Sequence, residues 1–119
     1  MAVEVLPLKF VSVTVPYGQF LDITIPVENV ACMCPMAKRA DVGKITLNYV
    51  PHHLCVETDS FGEYLETFAT KEMFIEQMVL EVLKVFMERI APLSCTVTGD
   101  FKQAGGTRIS VSSSAKIEE

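Results

Sequence analysis

Residues 31–41 read ACMCPMAKRAD: Cys32 and Cys34 flank one methionine, and Asp41 follows Cys34 by seven positions. Three chemistries fit this stretch. A cysteine reacts as its thiolate, so a nucleophile needs partial exposure and a neighbour that favours charge or moves protons. Cys34 falls in a predicted loop, followed by Lys38 and Arg39, two cations able to favour a thiolate. Asp41 stands just before the next predicted strand, where it can fold back toward the thiol. Alternatively, Cys32 and Cys34 join His52, His53 and Cys55 as zinc ligands, because thiolate and imidazole are the donors zinc prefers. A C-x-C followed by H-H-x-C matches no standard structural spacing, however, and paired histidines after Pro51 read as turn residues. The third reading is an ordinary loop cysteine. Residues 31–41 alone do not choose among the three.

Two carboxylates stand out further along. Glu76 lies on a predicted long helix in a row otherwise holding Met73, Leu80 and Met87. A carboxylate among apolar neighbours is costly unless something pairs with it; the plainer reading is an edge glutamate reaching solvent or a lysine. Glu57 precedes a predicted helix start and reads equally well as a solvated turn acid.

The elements that must position these groups follow from periodicity. LKFVSVTVP and FLDITIPVE are β-branched and alternating, with YGQ between them, and predict a leading β-hairpin over residues 1–30. GKITLNYVP predicts a third strand, ended by Pro51, with Ile45, Leu47 and Tyr49 on one face. Ser60 with Glu63 three places on predicts a capping box for a short helix. A longer helix is expected from about Lys71 to Ile90, with Ile75, Val79, Val82, Phe86 and Ile90 as its apolar stripe and Pro92 as its stop. LSCTVTGDF and GTRISVSSS predict a closing strand pair around KQAGG, and the Ser-rich end, 112–119, is expected to fray. Strands, two helices, then strands give one α+β domain over 1–119: an antiparallel sheet with two helices on one face.

Composition narrows the partners. Half of the 119 residues are hydrophobic and 21% are charged, which implies apolar surface that a small monomer does not hide and therefore a homo-oligomer. The net charge of −5 argues against an extended nucleic-acid footprint while leaving a small nucleobase open as ligand. With no 18-residue apolar run and no signal-peptide pattern, the sequence predicts a soluble, cytoplasmic protein with no membrane partner and reduced cysteines.

Taken in order, several short motifs resemble the QueF family, the nitrile-acting branch of the tunnelling-fold (T-fold) enzymes. They are Cys34-Pro35 with Asp41, then NYVP, VETDSFGEYL, Phe74-Ile75-Glu76 and VTGDFKQAGG, with Glu57 and Glu76 separated by 19 residues. The resemblance spans Ala31 to Val111. It implies that Cys34 adds to the nitrile carbon of 7-cyano-7-deazaguanine to form a thioimide, and that Asp41 protonates the nitrogen. It further implies that Glu76 accepts hydrogen bonds from the ring N–H and exocyclic amine of the base, that Glu57 holds another N–H, and that Thr58 takes the place of a substrate-contacting serine. A T-fold subunit is expected to close into a barrel, a pentamer or a decamer of two stacked rings, with the site between subunits.

The departures are as specific as the matches. The family reductases hold NADPH with two lysines and an arginine at positions that here are Asp59, Gly62 and Ala104. Each phosphate contact from such a group is worth about 1–3 kcal/mol, so losing three should cripple cofactor binding. The family histidine before the base-binding glutamate is Ile75 here. This profile resembles archaeal QueF-like proteins, which lack the cofactor motif and convert the nitrile, already in tRNA, to the amidine of archaeosine with ammonia. The expectation is a non-reductive enzyme without cofactor or metal, acting on the nitrile base, free or in tRNA, with ammonia. The alternatives are an NADPH-dependent reductase with a rewired cofactor site and a non-catalytic purine-binding module.

Overall fold

The computed structural model describes residues 6–103 and 105–117 of the chain. Among them the order is β1 (Phe10–Ser12), β2 (Ile23–Met33), β3 (Ala40–Val50), β4 (Leu54–Val56), α1 (Thr58–Glu66), α2 (Ile75–Ile90), β5 (Ser94–Lys102) and β6 (Arg108–Lys116). A four-stranded antiparallel sheet runs β2-β3-β5-β6, and β1 and β4 form a separate antiparallel pair. No helix among the described residues is long and apolar enough to cross a membrane. The expected α+β arrangement, two helices on one face of an antiparallel sheet, is what the chain adopts.

α2 supplies the cover. Its stripe of Ile75, Val79, Val82, Phe86 and Ile90 is buried, and it packs on β5 and β6 over a sheet face that contributes Ile45, Leu47 and Val97. Phe61 of α1 meets Phe86 edge to face with centroids 5.3 Å apart, which ties the helices together. The helix ends at Ala91, left-handed at φ 43, ahead of Pro92, as a residue that cannot continue the helix requires.

The opposite face of the sheet is lined by hydroxyl and amide side chains. Thr24, Asn48, Thr96 and Ser114 stand side by side across the four strands, and Thr46, Thr98 and Ser112 form the next row. Asn48 Nδ2 donates to Thr24 Oγ1 at 3.0 Å, and the Thr96 and Ser114 hydroxyls are 2.7 Å apart. The face without helices is therefore polar. The exposed large apolar side chains are scattered, with Tyr17 and Phe20 in the 13–21 segment, Met36 in the Cys34 loop and Leu80 on α2 among the most open.

Local boundaries differ from those expected. The leading hairpin does not form: β1 pairs with β4, Phe10 opposite Val56, while β2 pairs with β3. Pro16 lacks the N–H a ladder would need, and the Tyr17–Gly18 turn reverses the chain without pairing its two arms. β2 then continues through Ala31–Met33, carrying Cys32 into the sheet, and β3 begins at Ala40, so Asp41 lies within it. A one-residue bulge lies between Val27 and Val30, with Asn29 left-handed at φ 58. The capping box at Ser60 is absent because the Ser60 hydroxyl is buried against Lys9 and the Glu57 carbonyl. Glu57 is the cap: its carboxylate accepts from Asp59 N–H at 3.1 Å and Ser60 N–H at 2.9 Å. α2 begins at Ile75 rather than Lys71, with Phe74 N–H donating to Gln77 Oε1 at 2.8 Å. The tail does not fray at 112–116, which belongs to β6; residues 1–5, 118 and 119 lie outside the described residues.

Candidate active site

The β2–β3 hairpin brings the cysteines and the aspartate together. Cys32 and Asp41 are directly opposite in the antiparallel register, and Cys34 N–H donates to the Arg39 carbonyl at 2.9 Å, closing the loop one step further. Side chains two apart on a strand share a face, as do residues opposite each other across a ladder. Cys32 and Asp41 therefore project on one side, the side covered by the helices, and Cys34 follows one residue past the end of β2. Burial, reinforced by the negative charges possible on Asp41 and Cys34, pushes the Cys32 thiol up to about 11. A thiol held so firmly protonated is a poor nucleophile. Cys34 is only part-buried, and its sulfur accepts the Ala37 N–H at 3.5 Å.

Asp41 is only 2% exposed, and its Oδ1 is a buried oxygen with no hydrogen-bond partner among the described residues. Buried polar atoms are nearly always paired, and an exception beside a part-exposed thiol suits a donor or acceptor supplied by a ligand. Cys34 is thus the more open of the two thiols, and Asp41 is a buried carboxyl on the same hairpin.

The segment before α2 closes on this hairpin. Met33 N–H donates to the Lys71 carbonyl at 2.9 Å, and Met73 N–H returns a bond to the Met33 carbonyl at 3.0 Å. The Cys32 thiol reaches the Met73 carbonyl at 3.6 Å, and Lys38 Nζ lies 2.6 Å from Glu72 Oε1. Glu76, in the first turn of α2, lies four residues beyond Glu72, which pairs with the Cys34 loop. Glu76 and Thr58 are exposed, and Glu57 is part-exposed at the start of α1. Its two capping bonds leave lone pairs for a further donor, since a carboxylate offers about four. No hydrogen bond or ion pair among the described residues links Glu57 or Thr58 to Cys34. Backbone hydrogen bonds tie the hairpin carrying Cys34 and Asp41 to the segment that leads into α2 and Glu76.

The residues weighed for zinc are dispersed. His52 and His53 stack on each other at 3.8 Å in an exposed turn, and Cys55 is buried in β4. The 71–74 strap and the Lys38–Glu72 pair had no sequence signal, since 34 residues separate the partners. The strap accounts for the late start of α2.

The family model described as QueF-like protein matches residues 40–119. The chain belongs to the QueF family. It is 37% identical over 89 residues to the NADPH-dependent 7-cyano-7-deazaguanine reductase of Desulfovibrio desulfuricans (strain ATCC 27774 / DSM 6949 / MB), an alignment covering 75% of this chain and 53% of that protein. It is 33% identical over 92 residues to the protein of the same name from Elusimicrobium minutum (strain Pei191), covering 77% of this chain and 70% of that one. The chain thus spans about half the length of the Desulfovibrio relative. The crystal structure of an archaeosine synthase QueF-Like in its apo form superposes with a TM-score of 0.70, covering 81% of this chain and 92% of that one. At 16% identity that likeness speaks for the fold alone. For a QueF chain, the hairpin with Cys34 and Asp41 and the α2 start with Glu76 are the places to look for chemistry.

Proposed function

We propose that this QueF-family chain attacks the nitrile of a 7-cyano-7-deazaguanine group through Cys34 and resolves the adduct with ammonia rather than hydride. The Cys34 thiolate adds to the nitrile carbon while Asp41 gives a proton to the nitrogen, forming a thioimide. Ammonia then adds to the same carbon and the thiolate leaves, so nitrile plus ammonia yields an amidine with no change of oxidation state. Glu76 accepts donors of the base, and Glu57 and Thr58 complete the recognition, in a ring of five subunits or two such rings. The observation that carries the reading is Asp41: a sealed carboxyl oxygen without a partner, in the hairpin whose loop carries a part-exposed cysteine.

NADPH, present in the relatives' names, does not fit the positions where the family resemblance locates its phosphate contacts. Asp59 is exposed and acidic in the first turn of α1, and at Gly62 a Cβ would meet no atom within 4 Å. Neither offers a cation to a phosphate; the third position, Ala104, lies outside the described residues. No step here is routed through that cofactor.

The relatives' names favour a second reading, a reductase with rewired cofactor contacts. Intact mass after incubation with 7-cyano-7-deazaguanine tests the shared step. An adduct on the wild type that vanishes in Cys34→Ala is expected; noncovalent binding alone, unaffected by that substitution, would leave a purine-binding module. Adding NADPH separates the two enzymes, because steady loss of its absorbance with the nitrile base would establish reduction and overturn the ammonia route.

A further inference from the structure

The loop carrying Cys34 is held in a conformation its own sequence does not favour. Lys38 is left-handed at φ 57, a region an L-residue other than glycine, asparagine or aspartate seldom visits. Its N–H donates to the Cys34 carbonyl at 2.9 Å, so this backbone angle shapes the turn from which the sulfur projects. The Lys38 ammonium pairs with Glu72 Oε1 at 2.6 Å. Glu72 sits in the strap that is hydrogen-bonded to Met33 on both sides and leads into α2.

We propose that Glu72 is a positioning residue: through Lys38 it latches the nucleophile loop to the α2 approach, fixing the Cys34 sulfur relative to Asp41 and Glu76. The inference rests on the reading of Cys34 as the nitrile-attacking group. Backbone bonds at Met33 fix the root of the loop, and the ion pair is the side-chain contact seen fixing its tip. Both partners are exposed, with side chains 66% and 52% accessible, so the pair is screened by salt. Exposed pairs shift equilibria by at most about fivefold, which sets the scale of effect to expect. Small errors in reacting geometry are felt strongly in rate, so a modest loosening is measurable.

Two rates separate the latch from a general structural role. One is adduct formation with 7-cyano-7-deazaguanine, followed by intact mass. The other is alkylation of Cys34 by neutral iodoacetamide across pH, where the plateau reads accessibility and the midpoint reads charge. Glu72→Gln is expected to slow the adduct about threefold to fivefold while raising the alkylation plateau. The swap Lys38→Glu with Glu72→Lys restores both rates. Lys38→Gly loses the pair but relieves the left-handed strain, and keeps a faster adduct rate than Lys38→Ala. Added salt moves the wild type toward Glu72→Gln. Unchanged rates in Glu72→Gln, or equal losses in Glu72→Gln and the swap, would overturn the latch. If the wild type forms no adduct, the nitrile reading fails, yet the alkylation plateaus still decide whether Glu72 holds the loop.

Discussion

A carboxyl oxygen sealed from water without a hydrogen bond destabilises a folded chain, and Asp41 Oδ1 is such an atom. Its neighbours divide the work by burial: Cys32, directly opposite, is fully buried, whereas Cys34, two residues on, is partly open. Asp41→Asn keeps the shape and removes the proton donor, so adduct formation should fall by about 10²–10⁴-fold while the base still binds. Near-wild-type turnover in that variant would move the acid elsewhere. The buried thiols predict alkaline sensitivity. Burial first, then the charges of Asp41 and Cys34, raises Cys32 to about 11, and burial alone raises Cys95 to about 11. A group whose folded value is raised holds its proton more tightly when folded. Its contribution is therefore whole below the ordinary value of 9.0 and is lost as pH climbs toward 11. Unfolding free energies from urea titrations should stay level to about pH 8.5 and then decline, by up to about 1.4 kcal/mol per pH unit for each thiol. Cys95→Ala should make that decline shallower, and an identical slope would show that other groups govern it.

At the scale of elements, the hairpin that carries the site depends on one close approach. A Cβ on Gly43 would fall 2.6 Å from Phe101 Cα, with the Asp100 carbonyl nearer still, so β3 and β5 meet there only because the side chain is missing. Gly43 lies two residues from Asp41, opposite Val30 at the bulge. Gly43→Ala must therefore shift backbone rather than a flexible side chain, and should lower stability by about 2 kcal/mol or more while slowing adduct formation. Thermal unfolding checks the first effect, and a wild-type melting temperature would contradict it. The same region shows what the sequence could reveal. The Cys34–Asp41 interval, the α2 stripe and Pro92 were legible because local spacing and periodicity report on local geometry. The pairing of Phe10–Ser12 with Leu54–Val56 was not, because alternation marks a strand without naming its partner. Glu57 read as a plain turn acid because Ser60, three residues on, offered the stronger capping signal until burial against Lys9 claimed its hydroxyl.

For the molecule as a whole, the helix-free face changes the case for assembly. Its rows of threonine, serine and asparagine need no apolar cover, so the case for the proposed ring rests on strand edges and on the proposal of a shared site. β2 and β6 are the two edges of the four-stranded sheet, and long edge strands invite pairing with another chain. Within one subunit the strap joins the Cys34 loop to the start of α2, while Glu57 and Thr58 stand at the start of α1. A neighbour that brings a second α1 end to the hairpin would complete base recognition, which is the arrangement proposed above for five or ten copies. Each added copy carries a formal charge of −5, so the subunits repel one another and salt should strengthen assembly by screening. Light scattering at micromolar concentration should give a mass several times 13.2 kDa, rising or holding as sodium chloride is added. A monomer of 13.2 kDa that forms the Cys34 adduct at the rate of the concentrated protein would refute the shared site, because one subunit would then hold every group the base requires.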